Sequence, residues 1–95
     1  MALMRQCAVE HGANGITTNA VNTDRIRTGL MTDEMTEARC KALGLTPDEY
    51  MRGNLVKCEV TGKDVAEAFV FLARARTSIG AVMTVDGGNV AAMMR

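Results

Sequence analysis

Chemistry-bearing residues are concentrated in one stretch, Asn22–Leu30 (NTDRIRTGL), which places Asp24, Arg25, Arg27 and Thr28 within five positions. A guanidinium presents a planar fork of donors that matches a carboxylate or a phosphate, and hydroxyls beside it supply neutral hydrogen bonds. Arg25, Arg27 and Arg52 therefore qualify as anion contacts, although each also suits a solvated surface. A glycine pair, Gly87-Gly88, follows an apolar run and resembles either a phosphate-binding turn or an ordinary tight turn, the latter being the commoner use. Neither GxGxxG nor GxxxxGK[ST] occurs.

Self-contained acid–base chemistry is thinly represented. The single histidine, His11, falls at the end of a helical segment beside Gly12, where an imidazole interacts favourably with the helix C-terminus. Cys7 and His11 are four apart and share a helix face, but two ligands fall short of a zinc site. Asp33, Glu34, Asp48, Glu49 and Asp64 stand in the first turns of expected helices, where capping explains them better than paired acid–base work does. Tyr50 lies in a short amphipathic segment and reads as a packing residue.

The elements that must position these residues alternate between helix and strand. Ala2–His11 carries Leu3, Met4, Cys7 and Ala8 on one face, and Gly12 stands where a left-handed cap is expected. Ile16–Val21 (ITTNAV) is short, β-branched and bounded by turn residues, which predicts a strand. Thr32 is placed to cap a helix in which Met31, Met35, Ala38, Ala42 and Leu45 recur at helical spacing, ending near Gly44. Thr46-Pro47-Asp48-Glu49 combines a capping threonine, a first-turn proline and a glutamate three residues later, and Gly53-Asn54 stops that helix. Thr61–Asp64 opens another helix, with Val65, Phe69, Leu72 and Ala73 as its apolar side; Ala81–Val85 predicts a second strand. The order α-β-α-α-α-β implies two parallel strands joined by a helical crossover. Two strands make an incomplete open sheet, and the loop Asn22–Leu30 leaves the carboxyl end of one of them, where such sheets place ligands.

Composition narrows the field. Ninety-five residues form one small domain at most, and 47% apolar with 23% charged residues is an ordinary globular balance, with mean hydropathy +0.01. Eleven basic residues cancel eleven acidic ones, which argues against a nucleic-acid binder or polybasic membrane module working through bulk charge. The nearly uncharged apolar run Val65–Ala73 is far short of the roughly 20 residues of a membrane span, and no signal peptide is visible. Cys7, Cys40 and Cys58, odd in number and widely spaced, predict reduced thiols and a cytoplasmic location. Eight methionines, two phenylalanines and no tryptophan make an adaptable, light core, so self-association is the expected source of added stability.

Four segments in order, Asn14–Asn22 (NGITTNAVN), Ile26–Thr28, Asp64–Ala66 before an apolar helix, and Gly80–Gly88 (GAVMTVDGG), resemble the C-terminal half of a short-chain dehydrogenase/reductase. The family versions read roughly GIRVNAVNPGxIxT, EDVA and TGxxxxVDGG. The loop NTDRIRTGL, the insert TPDEYMRGN and the ending VDGGNVAAMMR resemble in particular the dehydrogenase domain of bifunctional sugar-phosphate aldolase/short-chain dehydrogenase proteins.

That resemblance implies a doubly wound, Rossmann-like α/β fold, present as an incomplete fragment spanning residues 1–95. It also implies a parent enzyme that uses NAD or NADP to move a hydride between a small-molecule carbonyl and alcohol. By position, Thr23 and Asp24 replace the family's Pro-Gly, Ile26 takes its backbone contact to the carboxamide, and Thr28 its polar nicotinamide or phosphate contact. Ile79 stands where the family usually has threonine. The glycine-rich TGxxxGxG, the NNAG segment, the active-site serine and YxxxK have no counterpart in the sequence, so this chain alone is expected to be inactive. Its expected partners are further copies of itself or the missing N-terminal half. The alternative is a non-catalytic oligomerising or interaction module derived from a dehydrogenase half.

Overall fold

The structure, a computed structural model, describes residues 1–27 and 33–88. Helix α1 covers Ala2–His11 and runs into a 3-10 turn, Gly12–Asn14. Strand β1 is Ala20–Thr23; helices α2 (Asp33–Leu43), α3 (Pro47–Met51) and α4 (Gly62–Arg74) follow, and strand β2 is Val82–Val85. The strands are parallel, with Ala20 opposite Val82 and Thr23 opposite Val85. The expected α/β architecture, an open Rossmann-like fragment with two parallel strands, is the one observed.

Two helix starts follow their local chemistry closely. At α3, Thr46 Oγ1 accepts from the Glu49 amide at 3.2 Å, and Glu49 Oε1 accepts from the Thr46 amide at 3.1 Å. At α4, Thr61 Oγ1 accepts from the Asp64 amide at 3.3 Å, and Asp64 Oδ2 accepts from the Thr61 amide at 2.9 Å. Each pair satisfies amides that the first helical turn leaves without partners. The expected cap of α2, Thr32, lies outside the described residues. At its other end, Gly44 turns left-handed (φ 70°) and the Leu45 amide bonds to Cys40 O at 2.9 Å. That closure brings Leu45 back onto buried Cys40, as in a Schellman cap.

Three local expectations are corrected. The left-handed residue after α1 is Gly15 (φ 78°), whereas Gly12 stays right-handed (φ −57°) with its amide bonded to Ala8 O. Gly12 instead lies close to Ile79: a Cβ there would stand 3.1 Å from Ile79 Cδ1. The first strand occupies Ala20–Thr23 rather than Ile16–Val21; upstream, the Gly80 amide still bonds to Thr18 O at 2.8 Å, but the regular ladder is interrupted. There the Asn19 side chain takes over, donating to Ser78 O at 2.9 Å and accepting from the Ala81 amide at 3.0 Å. On α4, the buried residues are Ala68 and Leu72, while Phe69 is 58% exposed. With one helix over two strands, the sheet is too narrow to cover the whole apolar side of α4.

The core has two parts. Ala68 and Leu72 are buried on α4, the helix that packs on both strands. A second cluster joins Cys40, Tyr50 and Met51 between α2 and α3, with Leu45 packed on it. The second cluster lies in the segment that meets the carboxyl ends of the strands.

Candidate functional site at the carboxyl ends of the strands

Parallel pairing of Thr23 with Val85 sets the segments that follow, Asp24–Arg27 and Asp86–Gly88, beyond the same end of the sheet. Thr23 is exposed, and Asp24 and Ile26 are half-buried. The structure thus keeps Thr23, Asp24 and Ile26 together at the strand end; Thr28 lies outside the described residues. Asp24 Oδ2 stands 3.6 Å from Arg25 Nε, so its negative charge is balanced within the loop itself.

Both loop arginines have partners within the chain, Arg25 half-buried and Arg27 at the surface. Arg25 adopts a left-handed backbone (φ 43°), and its guanidinium lies 4.5 Å above the Tyr50 ring. Its Nη1 donates to Tyr50 O at 3.0 Å and to Gly53 O at 3.5 Å. Arg27 pairs through Nη2 with Asp48 at 2.8 Å and through Nε with Glu59. The Glu59 hydrogen bond first, and the Asp48 one second, raise the Arg27 pKa further above its ordinary value. Tyr50 is also held from its far end: Arg39 Nη1 donates to its hydroxyl at 3.2 Å, and that bond raises the Arg39 pKa. A phenol so held, and 4% exposed, is a packing and stacking group rather than a proton donor to a ligand.

The glycine pair has a structural role too. Gly87 and Gly88 both take positive φ, 68° and 84°. Their carbonyls accept from the Val56 and Leu55 amides at 3.1 Å each. A Cβ on Gly87 would come within 2.4 Å of the Asn54 side chain, so the bare glycine leaves that amide its place against the turn. The Gly88 amide is taken by Asp86 Oδ1 at 2.8 Å. The pair is a tight turn clasped by Asn54–Val56, not an open row of amides for phosphate.

Segment 46–59 therefore reaches both strand ends, gripping the β1 loop through Tyr50, Gly53, Asp48 and Glu59 and the β2 turn through Asn54–Val56. Sequence reasoning read Tyr50 as packing and Gly53-Asn54 as a helix stop, but found neither grip. A cation–π contact across 25 positions leaves no periodic signal, and Gly53 gave no hint that Arg25 would fill its missing side chain's place.

His11 lies in the last turn of α1, with Nε2 3.8 Å from the Glu10 carboxylate. Its neighbour Gly12 packs near Ile79, before β2 begins, so His11 is at the opposite end of the strands from the loop. Cys7, Cys40 and Cys58 are free thiols. Among the described residues no cluster of three or more His, Cys, Asp or Glu side chains is placed to hold a metal ion. No described helix is long and apolar enough to cross a membrane.

Comparison with known proteins gives a consistent picture. The family described as enoyl-(acyl carrier protein) reductase matches residues 1–89. An uncharacterized oxidoreductase of Bacillus subtilis, YuxG, is 34% identical over 98% of this chain, which spans 15% of that protein. A solved short-chain dehydrogenase/reductase family protein is 30% identical with a TM-score of 0.66, covering 95% of this chain and 34% of that one. The structure of ElxO with NADP bound is 25% identical with a TM-score of 0.70, covering 95% of this chain and 35% of ElxO. The chain thus spans about a third of the solved structures it resembles, and less of its curated relative.

Proposed function

The chain belongs to the short-chain dehydrogenase/reductase family, and on that premise we propose that it is the C-terminal, nicotinamide-covering portion of an NAD(P)-dependent oxidoreductase. The observation that carries this reading is the position of the Thr23–Arg27 loop. It leaves one parallel strand beside the turn that leaves the other, the place where open α/β sheets bind ligands. The NADP in the ElxO structure supports a nucleotide as the ligand.

The residues fit the nicotinamide end of such a cofactor rather than its phosphates. Arg25 and Arg27 are spent on Tyr50, Asp48 and Glu59, whereas Thr23 offers an exposed hydroxyl and Ile26 a half-buried loop position. Thr23, Asp24, Ile26 and Thr28 would hold the cofactor, Ile26 through its backbone and Thr28 through its hydroxyl. When bound, NAD or NADP supplies or accepts the hydride. The chain's own contribution is to orient the ring and keep water from it. Tyr50 is not placed to pass a proton to the carbonyl substrate, because it is buried and its hydroxyl is held by Arg39. Among family members, the wording of Asn22–Leu30, Thr46–Asn54 and Val85–Arg95 supports kinship with aldolase-linked dehydrogenases.

Titration of the 95-residue chain with NADPH and NADH, followed by amide chemical shifts, tests the reading. Shifts confined to Thr23, Asp24, Ile26 and Thr28, weakened by Thr28→Ala, are expected; an unmoved loop at millimolar nucleotide rejects it. The exposed Phe69, Val70 and Phe71 of α4 support self-association of the isolated chain, or pairing with the rest of a dehydrogenase. Sedimentation should then show concentration-dependent association that Phe69→Asp reduces, and a monomer at every concentration removes that part of the proposal.

A further inference from the structure

We propose that Arg25 is a positioning residue, a latch that sets where Thr23–Ile26 stand by holding the loop to α3 rather than by touching a ligand. The inference deepens the nucleotide reading and rests on it for its functional consequence, but the latch itself has independent observables.

Three features converge on Arg25. Its backbone is left-handed, a region an arginine enters only when surrounding contacts hold it there. Its guanidinium meets a stacking face and two carbonyls at once: the Tyr50 ring at 4.5 Å, Tyr50 O at 3.0 Å and Gly53 O at 3.5 Å. The planar fork of arginine satisfies all three, which the point charge of lysine does not. The socket is also shaped for it. A Cβ on Gly53 would stand 2.5 Å from Arg25 Nη1 and 3.2 Å from Tyr50 O, so any side chain at position 53 displaces the guanidinium.

The anchor is itself fixed. Tyr50 and Met51 are buried in the α2–α3 core, and the chain just beyond Gly53 bonds through Leu55 and Val56 to the turn after β2. Arg25 thus ties the loop of one strand to a segment already fastened to the other. Asp24 Oδ2, 3.6 Å from Arg25 Nε, moves with it, so the latch also sets where that carboxylate lies relative to a bound ring.

The test uses the full chain with Arg25→Asn, Arg25→Lys and Gly53→Ala. Asparagine tolerates the left-handed backbone and removes the guanidinium; Gly53→Ala leaves Arg25 intact and blocks its socket. Tyr50→Phe, which removes only the hydroxyl held by Arg39, is the control. Backbone order parameters at Asp24–Ile26 should fall from about 0.85 to below about 0.6 in Arg25→Asn and Gly53→Ala, with Val82–Val85 unchanged. Arg25→Lys should restore little of this order, and Tyr50→Phe should leave the loop ordered. NADPH affinity should drop about tenfold in the two disruptive variants, the scale of one partly desolvated cation–π contact with its hydrogen bonds. Loop order unchanged in both Arg25→Asn and Gly53→Ala overturns the latch. Lost order with no nucleotide binding even by the unsubstituted chain upholds the latch and sinks the nucleotide reading instead. Should Arg25→Asn disturb the whole fold, Gly53→Ala against the β2 reference decides the matter.

Discussion

The two ends of the sheet are held by helices of opposite character. At the amino end lies α1, ten residues long with no buried side chain; Leu3 and Val9 are 78% and 80% exposed. Its ties to the sheet region are the Thr18 hydroxyl donating to Met4 O at 2.8 Å and the Gly12–Ile79 approach. At the carboxyl end lies α3, five residues long, which buries Tyr50 and Met51 and whose surroundings grip both strand ends. A five-residue helix is far below the length at which isolated helices persist, so α3 exists because of what it packs against. Length and periodicity therefore say little about which element organises this molecule. Burial and long-range hydrogen bonds do, and they gather on the side where the ligand loop lies.

That contrast is open to direct attack. The largest effect should come from Met51→Ala: at 2% exposed it is the most deeply buried large side chain among the described residues, and its removal should cost about 2–4 kcal/mol in denaturant unfolding. The matched change on the other side, Leu3→Ala, should stay within about 0.5 kcal/mol. Equal costs would mean that α1 is packed as firmly as α3.

An intermediate effect belongs to the cap of α4. Thr61→Ala should destabilise by about 1 kcal/mol, the usual worth of a threonine cap. The Asp64 carboxyl is held below its ordinary value, first by the Thr61 amide it accepts from and then by the Thr61 hydroxyl. A depressed folded-state pKa means the ionised group favours the fold, so its contribution is present above the unfolded value, about 3.9, and fades as the pH falls through the lower folded value. Asp64→Asn should flatten the acid limb of the stability profile there while leaving neutral stability less affected than Thr61→Ala does. An unchanged acid limb would remove Asp64 from the cap's pH dependence. The smallest effect on the backbone order of Asp24–Ile26 is expected for Tyr50→Phe, which keeps the ring beneath Arg25.

Several features were legible in the amino acids alone because their causes are local. Thr46–Glu49 and Thr61–Asp64 specify helix starts within four residues, and both helices start there, each with a capping box. The parallel pair follows from two short apolar runs separated by helical segments, and the loop's place at a strand end follows from that topology. The bounds of β1 were not legible, since Ile16 and Thr17 have strand-forming side chains but Asn19 diverts the pairing through its amide. Nor was the fate of Phe69, whose position on the apolar side of α4 says nothing about how wide a sheet lies beneath it.

At the site the division is sharper. Residue order alone puts Thr23, Asp24 and Ile26 beyond a strand and a glycine pair beyond its partner, because chain connectivity carries that information. Which arginines remain available to a ligand is a matter of three-dimensional neighbours. Arg25 and Arg27 carry the same guanidinium as any surface arginine, and it is the approach of α3 and Glu59, 25 and 32 positions downstream, that gives them partners in distant segments. Short-range patterns encode helix caps and strand order, where the interacting groups are a few bonds apart. Charge pairing and stacking between distant segments depend on distances that exist only once the chain has folded.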